Sequence, residues 1–425
     1  MKVYIETFGC TFNQGDSQIM AGLLEENHAE IVQKVEDADV IIVNTCYVKH
    51  PTEQKMLNRI HKLQKQFPEK SLIIAGCMVE IDPVKLKKIA PDAGWIGPHR
   101  IKSVHNVVKS LSQGERIRLT GFTGDIKVTL PKMRYNPYIN IIQICEGCMG
   151  ECTYCCTRFA RGKLQSYPSN MIVSEAQDAI AEGCRELQLT AQDTAAYGMD
   201  SGESLSLLIK KINRIEGDFR VRIGMMHPKN IIEDLENIIE AFKGDKIYKF
   251  LHIPIQSGND QVLNDMGRGS TVSDFKNVVK KFREEIPEIS IATDVIVGYP
   301  TENEKAFMDT YKLMADLKPD FIHISKYRHR PRATSSSIDE LDYNIIKNRS
   351  KKLDNLKSRI SYEKNKELVG TNKKVLITGK GPKGGYTSFT DSYKMVIVDS
   401  AEPGTFTHVK ILEARSTYLK GTKIN

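Results

Sequence analysis

The sequence predicts a three-domain α/β protein: a doubly wound parallel sheet, then a partial (β/α)6 barrel, then a small antiparallel β-barrel. Strand-like and helix-like apolar patterns alternate in residues 1–112 and, with a new period, in residues 137–365. Short strand-like runs separated by glycines fill residues 366–425. Residues 113–136 contain turn-forming glycines and are expected to form a linker.

The composition is that of an ordinary globular protein, with 40% hydrophobic and 27% charged residues in 425. The N-terminus contains Glu6 and no long apolar run, so we expect no signal peptide. No stretch has the length and apolarity of a membrane span, and we expect a cytoplasmic protein without a membrane partner. Thiols stay reduced in that compartment, so the nine cysteines are expected to be ligands or core residues rather than disulfides.

Residues 1–112 alternate strands and helices in the order of a parallel sheet with helices on both faces. The predicted strands are 2–7, 39–44 and 71–75, and the predicted helices are 16–26 and 52–67. One cysteine follows each strand: Cys10, Cys46 and Cys77. Because the functional crevice of such a sheet lies beyond the carboxyl ends of its strands, we expect the three thiols to converge. Together they could ligate a [4Fe-4S] cluster with one iron open, although any one alone would more often be an inert core cysteine.

The stretch 144–162, ICEGCMGECTYCCTRFARG, holds Cys148, Cys152 and Cys155, separated by three and then by two residues. Three thiolates on one short loop can hold three corners of a cubic [4Fe-4S] cluster, which leaves the fourth iron open to a chelating small molecule. The spacing resembles the radical S-adenosylmethionine (SAM) superfamily, in which that molecule is SAM. Cys145 and Cys156 leave two alternatives open: a closed zinc site with one of them as fourth ligand, or a cluster on Cys148, Cys152 and Cys156.

From residue 139 a second alternation predicts six βα units with their chemistry at the carboxyl ends of the strands. The predicted strands are 139–144, 185–190, 220–225, 250–255, 289–297 and 321–325. Polar residues near these ends can hold the ribose and carboxylate of SAM, and glycines there allow its close approach. The candidate cofactor-binding residues are Tyr154, Thr190, Gln192, Asp193, Gln256, Ser257 and Gly298. Cys184 precedes a strand, at the opposite rim, and is expected in the core.

The last part of the chain is basic, since residues 326–425 carry 21 Lys and Arg against 10 Asp and Glu. Such a charge favours a polyanionic partner such as nucleic acid over a merely solvated face. A long polar helix is predicted over 341–368, followed by strands at 373–378, 385–390, 395–399, 409–414 and 417–419. A basic barrel suits single-stranded RNA, whose bases stack on aromatic rings, although about half of its aromatic residues are expected in the core. Those aromatic residues are Tyr386, Phe389, Tyr393 and Phe406.

Several motifs together resemble the radical SAM methylthiotransferase family over essentially the whole chain. They are TFGCTFNQ at 7–14, NTC at 44–46, AGC at 75–77, the loop of Cys148, LHIPIQSG at 251–258 and GYPTE at 298–302. The C-terminal barrel resembles a TRAM domain. TYCCTRFARG at 153–162 and QDTAAYG at 192–198 are similar to the archaeal and eukaryotic branch. This resemblance implies a tRNA-modifying enzyme that adds a methylthio group to C2 of N6-threonylcarbamoyladenosine at position 37.

The resemblance also implies the cofactors, which are two [4Fe-4S] clusters and two SAM molecules per turnover. One SAM would methylate a sulfur species at the Cys10, Cys46 and Cys77 cluster, and the other would yield the radical that removes the C2 hydrogen. The implied partners are tRNA (its anticodon loop and adenosine 37), a one-electron donor and a sulfur source. Two alternatives stay open: the same chemistry on isopentenyladenosine-37 or a ribosomal-protein aspartate, and a non-catalytic tRNA-binding protein with structural iron–sulfur or zinc sites.

Overall fold

The structure, a computed structural model, describes residues 1–424. Its N-terminal part is a sheet of six strands with five helices. The strands are β1 (Lys2–Thr7), β2 (Glu30–Ile31), β3 (Val40–Thr45), β4 (Ser71–Gly76), β5 (Gly94–Ile96) and β6 (Arg118–Leu119). The helices are α1 (Thr11–Glu26), α2 (His50–Gln66), α3 (Cys77–Ile81), α4 (Pro83–Ile89) and α5 (Val104–Ser112), with short 3-10 turns at Val35–Asp37 and Pro98–Ser103.

All pairings in this sheet are parallel, in the order β2-β1-β3-β4-β5-β6. All six residues of β3 are buried, because helices cover both faces of the sheet. Ile41 and Val43 pack in one core with α2 and α3, whereas Val40 and Ile42 pack in a second core with α1 and α5. The predicted doubly wound sheet is therefore confirmed.

The central part contains eight strands and nine helices. The strands are β7 (Ile139–Gln143), β8 (Cys145–Glu146), β9 (Gln165–Ser166), β10 (Glu186–Thr190), β11 (Arg220–Ile223), β12 (Phe250–His252), β13 (Ser290–Val297) and β14 (Phe321–Lys326). The helices are α6 (Arg158–Arg161), α7 (Ser169–Ala181), α8 (Leu205–Asn213), α9 (Pro228–Ile232), α10 (Leu235–Phe242), α11 (Asp260–Asp265), α12 (Val272–Glu285), α13 (Glu304–Leu317) and α14 (Tyr343–Lys366). Two 3-10 turns lie at Thr194–Ala196 and Thr334–Ser337.

Six of these strands form the predicted partial barrel as two parallel three-stranded sheets, β11-β10-β7 and β12-β13-β14. A parallel bridge between Val221 and Ile247 and a hydrogen bond from the Met226 amide to the His252 carbonyl (2.8 Å) join the two sheets. Alternate strand residues such as Val221 and Ile223 pack outward against the helices in the largest core. The next residues along each strand therefore face the barrel interior.

The C-terminal part is a closed five-stranded barrel in the order β15-β16-β17-β19-β18. Its strands are β15 (Asn372–Lys380), β16 (Tyr386–Thr390), β17 (Met395–Val398), β18 (Phe406–Ala414) and β19 (Leu419–Lys423). The predicted barrel is confirmed, with one difference: β17 and β19 pair in parallel, whereas the other four pairs are antiparallel.

This barrel docks on the amino-terminal rim of the partial barrel, opposite the strand ends that carry the cysteine loop. Tyr393 packs edge-on against Tyr248 (4.8 Å between ring centroids) and stacks on Phe389 (4.5 Å), beside Phe250 at the start of β12. Phe389 and Tyr393 are therefore in the half of the barrel's aromatic residues that was expected to pack rather than to stack on RNA bases, because both pack between the two barrels.

The segment 113–136, predicted as a linker, contributes β6 as an edge strand to the N-terminal sheet. The segment also sends Lys127 into the contact between the N-terminal and central parts, where the side chain is buried. The domain boundaries at 112, 136 and 365 stay a prediction. Among the described residues, no helix has the length and apolarity needed to cross a bilayer.

Candidate cluster-binding sites

The three cysteines predicted at strand ends lie along one edge of the N-terminal sheet. The strands that precede them, β1, β3 and β4, are neighbours in the sheet. Cys10 is the N-cap residue of α1, Cys46 follows β3 directly, and Cys77 is the first residue of α3. Sheet order thus brings together three thiols that are far apart in sequence.

Burial favours the protonated form of two of these thiols, Cys46 and Cys77, in the absence of a ligand. Burial, followed by the neighbouring thiols of Cys77 and Cys10, raises the pKa of Cys46 to about 12. Burial also raises the pKa of Cys77, against the opposing effect of the positive charge of Arg161 nearby. Iron would replace these protons, because cysteine binds metals as the thiolate.

Two glycines let the backbone pass close to this sheet edge. Gly9 has φ of 111°, and a Cβ added there would lie 2.4 Å from the Cβ of Cys46. Gly76 has φ of 88°, and its Cβ would lie 2.3 Å from the Asn44 side-chain oxygen. Both positions combine a left-handed backbone with no room for a side chain, so they require glycine.

The second set of thiols lies on a loop that is fixed at its ends and in its middle. The short antiparallel pair β8–β9 closes the loop, with Cys145 opposite Ser166. In the middle, the Thr153 amide donates to the Met266 carbonyl (3.0 Å), and the Thr153 carbonyl accepts a hydrogen bond from the Ser335 amide (3.0 Å). These bonds attach the loop to chain segments that follow β12 and β14.

Within the loop, Cys148, Cys152 and Cys155 are all half-buried. Burial raises the pKa of Cys148 to about 11, although the Gly150 amide donates to its sulfur at 3.2 Å. Burial also raises the pKa of Cys155, against hydrogen bonding by Thr157. A Cβ on Gly150 would lie 3.3 Å from the Cys148 sulfur and 3.9 Å from the Cys152 sulfur, so both sulfurs border the same small space.

Arg268, which is not among the residues predicted from the sequence, lies beside this loop. Its Nη1 is 3.6 Å from the Cys152 sulfur and 3.4 Å from the Tyr154 hydroxyl, and its Nη2 donates to the Pro254 carbonyl at 2.6 Å. The side chain is buried. Arg268 follows a short helix rather than a strand, so it is not at one of the strand ends where the site was predicted. The one sequence feature that marks it is a charged residue between two glycines, in the run Met-Gly-Arg-Gly.

A buried ionic network joins the two cysteine sites. Arg161, at the end of the cysteine loop, donates to Asp16 of α1 and to Glu146 of β8, both at 2.7 Å, and all three side chains are 1% exposed. Lys127 bridges the same two carboxylates at 2.9 Å. Burial alone would lower the pKa of Arg161, but Asp16, Cys77 and Glu146 hold it well above its usual value. The network fixes the N-terminal sheet against the loop.

The remaining cysteines are buried outside the two sets. Cys145 lies with its sulfur 3.8 Å from the Asp193 carbonyl, and Cys184 lies 3.3 Å from the Pro137 carbonyl at the opposite rim. Cys156 packs into the N-terminal core, 3.8 Å from the Tyr47 carbonyl. Burial raises the pKa of Cys156 to about 12, and the neighbouring thiols of Cys155 and Cys77 add to this effect while Arg330 opposes it.

Three candidate SAM-binding residues lie at the end of β10, beside the loop. Gln192 accepts a hydrogen bond from the Gly147 amide (2.7 Å), and Thr190 accepts one through its carbonyl from Ile144 (3.0 Å). The Asp193 carboxylate is buried and accepts from the His227 amide and the Asn230 side chain. Burial raises the pKa of Asp193 despite these bonds. These residues position the loop, and their contact with SAM stays a prediction.

The other candidates are placed along the remaining strand ends. Tyr154 is partly buried beside Arg268. Gln256 has a positive φ of 77° and pairs with Val295. Ser257 is fully buried, with its hydroxyl near that of Thr310 (3.4 Å). Gly298 has φ of 82° and approaches Ile346 of α14, which a Cβ would meet at 2.5 Å.

The residues present fit two [4Fe-4S] clusters in their donor chemistry. Among residues 1–424, no three His, Cys, Asp or Glu side chains are arranged to hold a single metal ion. Each site instead offers three thiols, the ligands that iron–sulfur clusters prefer, with an arginine beside one sulfur: Arg161 at Cys77 and Arg268 at Cys152. Such cations offset the negative charge of a thiolate-ligated cluster.

Comparison with protein families divides the chain in the same way. Residues 2–97 match the uncharacterized protein family UPF0004, residues 142–314 match the radical SAM superfamily, and residues 366–424 match the TRAM domain. Among solved structures, the radical SAM methyltransferase TsrM from Kitasatospora setae, with tryptophan and a SAM analogue bound, superposes with a TM-score of 0.58 at 12% identity, covering 79% of this chain and 75% of that one. This likeness concerns the fold.

Curated relatives match along nearly the whole chain. A Methanothermobacter thermautotrophicus protein named "Probable threonylcarbamoyladenosine tRNA methylthiotransferase" is 58% identical over 419 residues, 99% of each chain. A Pyrococcus horikoshii protein of the same name is 38% identical over 428 residues, again 99% of each. The human threonylcarbamoyladenosine tRNA methylthiotransferase is 35% identical over 439 residues, covering all of this chain and 74% of that protein. The chain therefore belongs to the threonylcarbamoyladenosine tRNA methylthiotransferase family of radical SAM enzymes.

Proposed function

We propose that this protein adds a methylthio group to C2 of N6-threonylcarbamoyladenosine at position 37 of tRNA, using two [4Fe-4S] clusters and SAM. The observation that carries the proposal is the meeting of two three-cysteine sites across the buried network of Arg161, Asp16 and Glu146. Relatives named for this activity at 58% and 38% identity support the choice of substrate over isopentenyladenosine or a ribosomal-protein aspartate.

The two sites have separate roles in this proposal. Cys148, Cys152 and Cys155 would hold the cluster that binds SAM, and a second set would hold the cluster that carries the sulfur to be transferred. The second set is Cys10, Cys46 and Cys77. When bound, the clusters and SAM supply one-electron chemistry, hydrogen abstraction from an unactivated C–H bond, and the methyl and sulfur groups. Adenine C2–H is not acidic enough for ordinary acid–base catalysis, which is why such cofactors are needed.

The contribution of the protein is to hold these reactants in place. The Arg161 guanidinium lies near Cys77 of one site, while its backbone continues the loop of the other. A fixed distance between the sites keeps an activated substrate carbon within reach of the group to be transferred, which supplies much of the rate advantage of an enzyme. Arg268 and Gln192 orient the loop on the other side.

The C-terminal barrel is proposed to bind tRNA through its charge. Its exposed cations include Lys380, Lys383, Lys410 and Lys420. Lysines bind phosphates as point charges and displace the counterions of the RNA. Binding of tRNA to the barrel is therefore expected to weaken steeply as the salt concentration rises. Because Phe389 and Tyr393 pack inward, the barrel would act through the RNA backbone more than through base stacking. An external one-electron donor and a sulfur source complete the reaction.

Mass spectrometry of tRNA nucleosides tests the proposal. The protein is reconstituted anaerobically with iron and sulfide, then incubated with SAM, a reductant, sulfide and tRNA carrying N6-threonylcarbamoyladenosine. The expected product is the 2-methylthio derivative of that nucleoside. Parallel reactions use tRNA carrying isopentenyladenosine and tRNA with unmodified adenosine 37. Product only from isopentenyladenosine would reassign the substrate, and zinc without iron in the reconstituted protein would favour a non-catalytic role.

A further inference from the structure

The interior of the partial barrel carries a polar layer that the cysteine sites do not use. Five neighbouring strands each contribute one inward-facing residue to it: Gln188, Arg222, His252, Asp294 and His323. Residues next to them along the strands face the outer core and are buried, for example Leu187, Val221 and Leu251. All five members of the layer, by contrast, retain accessible surface. The interior of a β/α barrel is ordinarily packed with apolar side chains, so an accessible polar layer indicates room for a ligand.

Arg222 is the permanent cation of this layer, and the carboxylate whose charge it stabilises, Glu186, forms no ion pair with it. The guanidinium lies 5.4 Å from the ring centroid of Phe250 and 5.2 Å from that of Tyr393. Its Nε is buried without a hydrogen-bond partner. Two residues earlier, Arg220 forms an ion pair with Asp391 at 2.8 Å, whereas no ion pair forms at Arg222 among residues 1–424. A guanidinium whose Nε is buried without a partner is unfavourable, and a ligand carboxylate or phosphate would satisfy it.

The carboxylates near Arg222 are already engaged by other groups. Asp294, in the same layer, accepts a hydrogen bond from His252 at 2.6 Å. Glu186, at the base of the interior, accepts from Gln188 at 2.6 Å and from Tyr248 at 3.1 Å. Arg222 can therefore offer its planar N–H groups to an incoming anion, and a carboxylate matches that geometry with two hydrogen bonds.

We propose that Arg222 binds the carboxylate of the threonylcarbamoyl group and so selects the modified base. The inference rests on the proposed function, because only that substrate places a carboxylate on N6 of the adenine. N6 and C2 lie at opposite ends of one edge of the ring. With C2 held at the strand ends beside the cysteines, the N6 substituent can extend along the barrel interior. Gln188 lies two residues before the strand-end Thr190, a distance of about 7 Å along the strand, which is the length scale of that substituent.

Two other anions could occupy the same place, namely the carboxylate of SAM and a phosphate of the anticodon loop. They make different predictions. A SAM contact would lower SAM cleavage even without RNA. A phosphate contact would affect every RNA alike, whatever the charge on the N6 group.

The test compares two anticodon stem-loop RNAs, one carrying the natural threonylcarbamoyl acid and one with its carboxylate converted to the neutral primary amide. kcat/KM for methylthiolation and Kd are measured for the wild-type enzyme, Arg222→Gln, Arg222→Lys and Arg220→Gln, together with iron content and RNA-free SAM cleavage. Arg220→Gln is the matched control, because it makes the same change on the same strand at an arginine that already has a carboxylate partner.

The wild-type enzyme is expected to prefer the acid over the amide by roughly 10- to 100-fold, the effect of a hydrogen-bonded charge. Arg222→Gln should lose that preference by slowing on the acid alone, Arg222→Lys should retain part of it, and Arg220→Gln should keep the wild-type ratio. Iron content and RNA-free SAM cleavage should not change.

Equal wild-type values for acid and amide overturn the proposal without any variant, so a variant that fails to fold leaves the question decidable. An equal fall on both RNAs in Arg222→Gln overturns it in favour of a phosphate or structural role, and reduced RNA-free SAM cleavage overturns it in favour of SAM. If the wild-type enzyme modifies neither RNA, the proposed function fails, and the ratio of the two Kd values still decides what Arg222 binds.

Discussion

The two cysteine sites are constructed in opposite ways. Cys148, Cys152 and Cys155 lie within eight residues on one loop, closed by the β8–β9 pair. The other three thiols come from separate strand ends and meet only because β1, β3 and β4 are adjacent in the sheet. The first site depends on local hydrogen bonds, whereas the second depends on the complete N-terminal fold. The loop site is therefore determined by the spacing of its cysteines in the sequence, and the N-terminal site by the order of strands in the sheet.

Removing each set of thiols should separate the two sites, with the largest effect in the molecule. Alanine at Cys148, Cys152 and Cys155 is expected to abolish reductive SAM cleavage and to remove about half of the bound iron. Alanine at Cys10, Cys46 and Cys77 should remove the other half of the iron and abolish methylthiolation, while SAM cleavage continues. Iron quantification and 5′-deoxyadenosine release measure the two effects. Loss of SAM cleavage in a folded variant of the N-terminal set would refute the division.

The same contrast explains how far the sequence alone leads. Cys10, Cys46 and Cys77 were predictable because each follows a strong apolar strand, and parallel strands end at a common edge. Arg222 was not predictable as a ligand-binding residue, because a charge inside a strand of four residues gives no sign of which face it occupies. Arg268 was missed since it follows a helix and reaches Cys152 only through the tertiary fold.

The sequence also does not indicate which strands pair with each other or which surfaces of two domains pack together. The run at 417–419 predicted a last strand, but nothing local indicates that β19 pairs in parallel with β17 as well as antiparallel with β18. Tyr393 and Phe389 likewise have the sequence pattern of exposed barrel residues. Their neighbours in the fold, Tyr248 and Phe250, belong to the partial barrel and are far away in the sequence. Contacts between domains have no periodicity to detect, so the sequence predicts that about half of the aromatic rings pack inward but does not indicate which ones.

The contact between the sites can be broken at its centre. Arg161→Gln would leave Asp16 and Glu146 buried with only Lys127 as a cation, and we expect the free energy of unfolding to fall by roughly 3–5 kcal/mol. Chemical denaturation followed by circular dichroism measures this loss. Arg158→Gln is the control, because Arg158 lies in the same helix, is half-buried and forms no ion pair among the described residues. Equal destabilisation in both variants would show that the network contributes no specific stability.

The two sites each contain a glycine close to a cysteine, and the space around the two glycines differs. Gly9→Ala would place a Cβ 2.4 Å from that of Cys46 at a φ of 111°, with a strain of roughly 1–3 kcal/mol, and should lower iron binding at the N-terminal site. Gly150→Ala would place its Cβ 3.3 Å from the Cys148 sulfur at an ordinary φ, so the loop can adjust and the expected loss of iron is smaller. Iron content of the two variants, reconstituted side by side, measures the difference. A larger loss in Gly150→Ala would contradict the view that the loop is the more adaptable site.

The smallest effects are expected at the cysteines outside the two sets. Cys145, Cys156 and Cys184 are buried, and each sulfur lies near a backbone carbonyl that is 3.3–3.8 Å away. Replacing any one with alanine removes a buried sulfur and leaves a small cavity, so the free energy of unfolding should fall by about 1 kcal/mol while the iron content is unchanged.

Cys156→Ala is the most informative of the three, because Cys156 is next to Cys155 in the sequence and packs in the same core as Cys77. Its sulfur packs in the N-terminal core, 3.8 Å from the Tyr47 carbonyl, whereas the Cys148 and Cys152 sulfurs border one small space at Gly150; we therefore expect Cys155 to be the third ligand. Cys155→Ala serves as the comparison, and it should lose about half of the iron and all RNA-free SAM cleavage. If Cys156→Ala lost iron and SAM cleavage to the same extent and Cys155→Ala retained both, the ligand set would be Cys148, Cys152 and Cys156. The loop site would then share a residue with the core of the N-terminal sheet, which also holds the second set of cysteines in place.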